Sequence, residues 1–288
     1  VSEDDEPDPE RRSVLRGMPV DTTDPDNEGA LLAAGVGPFK PGTPLTAKIL
    51  NQLSSLGHKR ILIRSPIHSF SSDGGVYGRD VGIRERGTTP WRGEMVGLQA
   101  AQALSEPISQ GQLSAKHSGG VAGAEKAVSG FAYINQLIQR PKAFKGGAAH
   151  AQLDGTVQRV EDAPAGGKYV TINDQRHYVG QDYGLKVKRG DKVEAGDVIS
   201  EGIPNPAEIT KFKGLGEGKR YFVGAMMDAM RSANLRANRR NVELLARGLI
   251  NHVRFTGEHD EYVPDDVVPY STIERRWRPR EGHQELEP

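Results

Sequence analysis

The stretch of residues 93–107, GEMVGLQAAQALSEP, carries the clearest helical pattern in this chain. Val96, Ala100, Ala103 and Leu104 recur in it at helical spacing, which places them on one face of a helix. The small residues in the stretch leave room for close packing against a second helix. The sequence therefore predicts an amphipathic helix over residues 92–107.

A polar, glycine-rich segment, residues 109–123, follows this helix and contains the run HSGG at positions 117–120. It has no apolar periodicity, and connecting segments of this composition are usually the mobile part of a fold. Helical spacing returns over Phe131–Gln139 and stops at Pro141. We therefore expect a mobile loop between two helices.

Residues 149–203 have the composition of strands. Valine, isoleucine and tyrosine residues alternate there with glycine-containing and Asn-Asp turns. Residues 187–199 hold two Gly-Asp turns, each next to apolar residues. This pattern predicts a small, tightly turned β-barrel or sandwich.

Helices and a strand are predicted on both sides of these segments. Upstream, apolar spacing predicts a helix over residues 45–56 that begins at Thr43-Pro44, and residues 60–64 predict a strand. Downstream, one helix should pack through Phe222, Met226, Ala229 and Ala233. A second should be capped by Asn238 and pack through Val242, Leu245, Ala246 and Leu249.

Both ends of the chain are polar. Residues 1–42 are acidic at their start and rich in proline and glycine, so we expect them to stay extended unless a partner covers them. Asp21, Asp24, Asp26 and Glu28 lack the spacing of a calcium loop and favour a solvated acidic loop. The last thirty or so residues predict a polar tail.

Composition excludes several classes of protein. The 38 basic and 38 acidic residues balance, so no global field marks a polynucleotide-binding protein. The absence of cysteine excludes disulfides and thiolate metal sites. No apolar run approaches membrane-spanning length, which argues against membrane insertion.

Taken in order along the chain, these segments resemble the C-terminal part of the β′ subunit of bacterial-type multisubunit DNA-directed RNA polymerase, from the trigger-loop region onward. Residues 76–80, VYGRD, resemble the family's C-Y-G-R-D, and residues 93–107 resemble its G-E-x-V-G-x-x-A-A-Q-S-x-G-E-P. The HSGG run resembles the end of the trigger loop, and residues 187–200 resemble V-x-x-G-D-x-V-x-x-G-D-x-I-S. The resemblance points to a divergent homologue of the kind that viruses and phages encode.

The resemblance and the patterns together imply an α+β fold with antiparallel trigger-loop helices, a small β-barrel or sandwich, a C-terminal helical pair and extended polar tails. The expected segments are an acidic N-terminal segment (1–42), a helix-strand segment that resembles a degenerate zinc-site region (43–90), a trigger-loop-like helical hairpin (91–147), the β module (148–205), the C-terminal helices (206–256) and a polar tail (257–288).

The resemblance also implies candidate catalytic residues. In the family, the trigger loop folds over the incoming nucleotide, and a Gln, a Met-Arg pair and a His touch its sugar, base and phosphates. Gln110 and His117 match the Gln and the His, whereas Leu113 and Ser114 replace the Met-Arg pair and Lys116 replaces an aromatic residue. His117 is either a positioning or general-acid residue at the phosphates or a loop histidine kept by descent.

Basic residues elsewhere are candidate nucleic-acid contacts. Lys116, Arg231, Arg239 and Arg240, with Arg236 nearby, predict a basic patch for DNA or RNA, and a solvated or partner-facing surface is the alternative. Residues 214–220, GLGEGKR, look like an anion cradle but fail the P-loop spacing, so a flexible helix entry is favoured.

Metal ions are expected to be held by other subunits rather than by this chain. The family's aspartate motif N-A-D-F-D-G-D, which holds catalytic magnesium, is absent, so magnesium is expected only if partner subunits supply that motif. The family's cysteine cluster ahead of Y-G-R-D is replaced by residues 67–75, so we expect the zinc site to be lost. No metal or other cofactor is expected to be held by this chain.

Two functions remain open on the sequence. In the first, the chain is a β′-like fragment that assembles with other polymerase-like subunits in the host cytoplasm. In the second, the polymerase-derived fold is a structural or interaction protein of a virus particle, assembled with virion proteins and without catalysis. Polar tails that order on partners fit both.

Overall fold

The computed structural model describes residues 17–69, 75–117, 130–139, 144–258, 261–273 and 286–287. These form two compact units: unit 1 takes the chain up to Pro107 together with Arg236–Glu287, and unit 2 comprises Ile108–Leu235. Helices and antiparallel sheets occur in separate segments, so the predicted α+β class is confirmed.

The helices and strands fall in the following order. The helices are α1 (Ala47–Ser55), α2 (Gly78–Val81), α3 (Val96–His117), α4 (Gly130–Gln139), α5 (Pro206–Ser232), α6 (Arg239–Leu249) and α7 (Tyr270–Ile273). The strands are β1 (Met18–Asp21), β2 (Arg60–Ile63), β3 (Gly155–Asp162), β4 (Lys168–Ile172), β5 (Gln175–Val179), β6 (Lys192–Val193), β7 (His252–Phe255), β8 (Val267–Pro269) and β9 (Leu286–Glu287).

The described part of the N-terminal segment is folded, and the prediction that residues 1–42 stay extended is wrong from residue 17 onward. β1 pairs antiparallel with β2, with Met18 opposite Ile63. The run Ala30–Ala33 is buried beside this pair. Its apolar side chains supply the surface that the acidic start of the segment lacks. Residues 1–16 lie outside the described residues.

α1 confirms the predicted upstream helix but begins later than expected. Thr46, rather than Thr43, is its N-cap, and its Oγ1 accepts a hydrogen bond from the backbone N–H of Ile49 at 3.3 Å. Leu50 and Leu53 are buried on its inner face. The predicted strand follows as β2.

α3 is longer than predicted. It continues past Pro107 to His117, so the expectation of a mobile loop from residue 109 is wrong for residues 109–117. Pro107 and Gly111 carry breaker signals, yet the residues around Gly111 include glutamine, leucine, alanine and lysine, which are good helix formers. Residues 118–123 lie outside the described residues.

Unit 2 contains the predicted β module. Four antiparallel strands run in the order β5-β4-β3-β6 around a core that includes Val157, Ile172 and Ile199. The β4–β5 hairpin turns at Asn173 and Asp174, which both have positive φ angles of 43° and 66°. Two successive residues with positive φ angles form a hairpin turn whose twist matches the twist of the flanking strands. The predicted Asn-Asp turn is therefore confirmed.

α5 is a long helix with one break. Asn205 caps its start, and Gly214 leaves the helical region with φ 85° and ψ 170°. Residues on both sides of Gly214 are helical, so the predicted helix entry at residues 214–220 follows a kink at Gly214 within α5. Phe222, Met226 and Ala229 are buried as predicted.

The C-terminal helix α6 is capped by Asn238 as predicted, but its inner face differs. Val242 and Ala246 are buried as expected, whereas Leu249 is 48% exposed and Leu244 is buried in its place. The predicted polar tail, residues 257–288, is also partly wrong. Residues 267–269 and 286–287 form β8 and β9, which pair on either side of β7.

Candidate functional site

The start of α3 is anchored in the core of unit 1. Val96 and Ala100 pack in one buried cluster with Val76, Val81 and Leu244 of α6. The cluster joins the motif at residues 76–80 to the motif at residues 93–107, two segments that the sequence analysis treated separately. It fixes where α3 begins.

The candidate catalytic residues all lie on the second part of α3, in unit 2. Gln110 is exposed, and Lys116 and His117 end the helix. Gln110 and His117 are seven residues apart, about two helical turns, so their Cα atoms lie on the same side of α3. The side chains of residues 112–117 lie outside what the structure describes, and the roles assigned to them stay predictions.

α3 and α4 approach each other at Gly111. A Cβ atom added to Gly111 would lie 2.8 Å from Cε1 of Phe131 at the start of α4, and closer still to its Cζ. Glycine is therefore the residue that lets this ring approach the helix.

We expect Gly111→Ala to move or displace the Phe131 ring and to destabilise unit 2 by about 1 kcal/mol. On an isolated helix the same change stabilises by about 1 kcal/mol, so the sign of the effect reports the contact. Urea unfolding followed by circular dichroism measures it. Gly224→Ala in α5, where nothing lies within 4 Å of the added Cβ, is the control and is expected to be stabilising. An increase in stability for both Gly111→Ala and Gly224→Ala would contradict the α3–α4 contact.

α4 packs against α5. Tyr221 of α5 donates a hydrogen bond from its hydroxyl to the carbonyl of Pro204 at 2.8 Å. It also bonds to the hydroxyl of Tyr133 on α4, and burial raises the pKa of both phenols. The two rings therefore link α4, α5 and the chain that enters α5. The prediction did not pair α4 with α5.

The candidate nucleic-acid residues lie in different settings. Arg231, near the end of α5 in unit 2, is 58% exposed and pairs with Asp228 at 3.0 Å. Arg239 of unit 1 is largely covered and pairs with Asp24 at 3.2 Å and with Glu243 at 3.1 Å. Arg240 is buried. Their contact with nucleic acid stays a prediction.

Unit 1 contains a buried carboxylate that no sequence pattern indicated. Glu243 is 1% exposed and accepts hydrogen bonds from Ser65 Oγ at 2.8 Å and from Arg239 Nε at 3.1 Å. Burial raises the pKa of its carboxyl group, while Arg239 and Ser65 act in the opposite direction. Asp24, predicted as part of a solvated loop, joins the same network through Arg239.

Arg247 joins α6 to the segment that resembles the degenerate zinc region. Its guanidinium donates hydrogen bonds to the carbonyls of Ser69 at 2.7 Å, Gly75 at 2.8 Å and Pro66 at 3.4 Å. Ser69 Oγ in turn accepts the backbone N–H of Tyr77 at 2.9 Å. One side chain therefore holds both ends of residues 70–74, which lie outside the described residues.

Metal ligands do not cluster in the described part of the chain: no group there of three or more His, Cys, Asp or Glu side chains is placed to hold an ion. The stretch at residues 67–75 also has no cysteine. The donors that the family's zinc requires are therefore not present in this stretch. Among the described helices, none has the length and hydropathy needed to cross a bilayer.

Comparison with known proteins adds an independent finding. The family model RNA polymerase Rpb1, domain 5, matches residues 75–266. The DNA-directed RNA polymerase subunit beta′ of Clostridium botulinum (strain ATCC 19397 / Type A) is 30% identical over 235 residues, which is 80% of this chain and 20% of that protein. The subunit beta′ of Acetivibrio thermocellus is 32% identical over 235 residues, 79% of this chain and 20% of its own length. This chain thus spans about one fifth of the length of the curated relatives it matches.

Proposed function

This chain belongs to the β′ subunit family of multisubunit DNA-directed RNA polymerases and corresponds to a C-terminal part of that subunit, and from this premise we propose that it works inside such a polymerase. It supplies the helix that approaches the incoming nucleotide, together with the scaffold of that helix. Other polymerase subunits supply the magnesium-binding aspartates. The proposal rests on one observation, which is the collinear similarity to β′ over about four fifths of the chain.

The course of α3 supports this proposal. The family's trigger loop acts by folding into a helix over the nucleotide. In this chain the corresponding residues form one helix to His117. Gln110 and His117 share one side of that helix, as two contacts to a single nucleotide require. Gln110 would meet the sugar and His117 the phosphates.

This chain offers fewer side-chain contacts to the nucleotide phosphates than the family does. Ser114 stands where the family has an arginine, so the bidentate phosphate contact is lost. Lys116 supplies a positive charge two positions later on α3. The imidazole of His117 is proposed to position the phosphates or to donate a proton to the leaving phosphate.

Partners and cofactors follow from the same proposal. Magnesium enters with the partner subunits, because this chain has no N-A-D-F-D-G-D motif, and zinc is not part of this chain. Lys116 and Arg231 are the proposed contacts to DNA or RNA, with Arg239 and Arg240 as further candidates. The complex would act in the cytoplasm of the host cell.

Replacing His117 with alanine is expected to slow nucleotide addition roughly tenfold in the polymerase complex that contains this chain. His252→Ala, an exposed histidine of β7, is the matched control and should leave the rate unchanged. Single-turnover extension of a primed template measures both. Loss of residues 109–118 should slow extension at least as much as His117→Ala.

Normal extension after that deletion would reject the proposal. The alternative is a structural protein of a virus particle. Purified particles that contain this chain in repeated, stoichiometric copies, without companion polymerase subunits, would favour that alternative.

A further inference from the structure

Arg240 occupies an unusual position for an arginine. It lies in the first turn of α6, is 9% exposed and has its backbone N–H bonded to the side chain of Asn238 at 2.9 Å. Its Nη1 atom is shielded from solvent and has no hydrogen-bond acceptor among the described residues. No ion pair reaches Arg240 in that part of the chain either. A buried guanidinium nitrogen without an acceptor is unfavourable, so Nη1 can take a further hydrogen-bond acceptor.

The carboxylates around Arg240 already have other partners. Glu243 accepts from Ser65 and Arg239. Glu28 accepts from the backbone N–H of Ala47 at 3.4 Å. Nearby carboxylates therefore contribute their field to Arg240 without a direct contact.

A second positive charge lies near the first. Burial lowers the pKa of Arg240, and the like charge of Arg84 acts in the same direction, whereas Glu243, Glu28 and Asp26 oppose it. Arg84 bonds to Glu94 at 3.0 Å and to Gln99. Glu94 also accepts from the backbone N–H of Trp91 at 3.0 Å, so both of its oxygens have partners within the loop before α3.

Both arginines line one cleft of unit 1, with a volume of about 1160 Å³. The loop at residues 83–94, one side of α3 and the first turn of α6 form its walls. Arg84, Arg86, Arg92 and Arg240 line it together with three glutamates, Glu28, Glu85 and Glu94. Thr88, Thr89 and Asn241 add neutral donors, and the exposed ring of Trp91 lies at its edge.

We propose that this cleft binds a phosphate group, with Arg240 and Arg84 as its charged ligands and the start of α6 behind it. A helix N-terminus favours an anion through its backbone N–H groups and its dipole. Phosphate is favoured over carboxylate because four arginines line the cleft against three glutamates, and a phosphate offers more acceptor oxygens and more charge. The phosphate comes from free inorganic phosphate, from a nucleotide or from a nucleic-acid backbone.

The test uses the full chain and compares the wild type with Arg240→Met. In chloride buffer the variant should melt at the same temperature as the wild type or higher, because it removes an unpaired buried charge. Inorganic phosphate at matched ionic strength should raise the melting temperature of the wild type by several degrees and leave the variant unchanged. By calorimetry, the dissociation constant for phosphate should rise roughly tenfold or more in the variant.

Further titrations identify the source of the phosphate. A nucleoside triphosphate that binds more tightly than inorganic phosphate and competes with it identifies a nucleotide. A short oligonucleotide that binds with an affinity that falls steeply with salt identifies a nucleic-acid backbone as the source of the phosphate. Arg254→Met is the control, since Arg254 is half exposed and pairs with Asp265 at 3.7 Å. It should bind all three ligands as the wild type does.

Three results would overturn the proposal. The first is equal phosphate affinity in Arg240→Met and the wild type. The second is a fall of several degrees in the melting temperature of the variant in chloride, which would mean that Arg240 already has a partner. The third is protection of the wild type by a glutamate-rich peptide but not by phosphate, which would assign the cleft to a carboxylate of another protein. None of these readouts depends on polymerase activity, so the proposed function stands or falls separately.

Discussion

Replacing Arg247 with methionine is expected to destabilise unit 1 by about 3 kcal/mol. The guanidinium donates to the carbonyls of Pro66, Ser69 and Gly75, and methionine retains the aliphatic bulk but none of these donors. A hydrogen bond from a charged donor is worth about 1.5–3 kcal/mol, and the carbonyls that remain are partly buried. The loss should be larger than the effect of removing a surface charge.

The measurement is urea unfolding, together with hydrogen exchange at the Tyr77 amide. That amide bonds to Ser69 Oγ, so its protection should fall when Arg247 no longer holds the Ser69 carbonyl. Arg247→Lys should be intermediate, because an ammonium keeps the charge but not the planar fork. Arg231→Met, at a 58% exposed arginine that pairs with Asp228 on the surface, is the control and should change stability by less than about 0.5 kcal/mol.

The same experiment bears on metal content. Arg247 ties together the two ends of the segment where the resembled family binds zinc. We expect a strong chelator to leave the unfolding midpoint of the wild type unchanged. A midpoint that falls with the chelator, or an Arg247→Met variant as stable as Arg231→Met, contradicts the role given to Arg247.

Features set by local sequence were predictable. Asn238 was recognised as a cap because the residues needed for a cap are adjacent in the chain. The Asn173-Asp174 turn was recognised for the same reason. The family was recognised from short motifs that occur in the expected order, and the family model matching residues 75–266 agrees.

Features set by distant contacts were missed. In the sequence alone, Glu243 cannot be told apart from a solvent-exposed glutamate on a helix. Its burial depends on contacts with residues such as Ser65, which lies 178 positions away in the chain. Arg247 shows no signal for the same reason, since its acceptors are backbone carbonyls and carry no sequence information. Leu249 was placed in the core by spacing alone, whereas the buried face of α6 includes Glu243 and Leu244 instead.

Replacing Gly82 with alanine is expected to destabilise unit 1 by about 4 kcal/mol. Gly82 ends α2 with φ 83° and ψ −168°, a region open almost only to glycine. In addition, an added Cβ would collide with the carbonyl oxygen of Gly29. That oxygen accepts the backbone N–H of Ile83 at 2.7 Å, so relief of the collision would break this bond.

Gly214 supplies a matched control within the same chain. Its backbone has φ 85° and ψ 170°, close to that of Gly82, but nothing lies within 4 Å of an added Cβ. Gly214→Ala should therefore show the backbone strain alone, about 2 kcal/mol. The difference between the two variants, measured by urea unfolding, isolates the approach of Gly82 to Gly29. Equal effects at the two positions would mean that the carbonyl yields at no cost.

The Gly82–Gly29 contact also determines the shape of the proposed phosphate cleft. Gly29 itself lies against the Arg240 guanidinium, since a Cβ there would be 2.7 Å from Nη2. Ile83 begins the loop that carries Arg84, and its hydrogen bond to Gly29 ties this loop to the residue beside Arg240. In Gly82→Ala we therefore expect a smaller rise in melting temperature on addition of phosphate, as well as a lower free energy of unfolding. In Gly214→Ala, phosphate should raise the melting temperature as much as in the wild type, because the altered backbone belongs to unit 2.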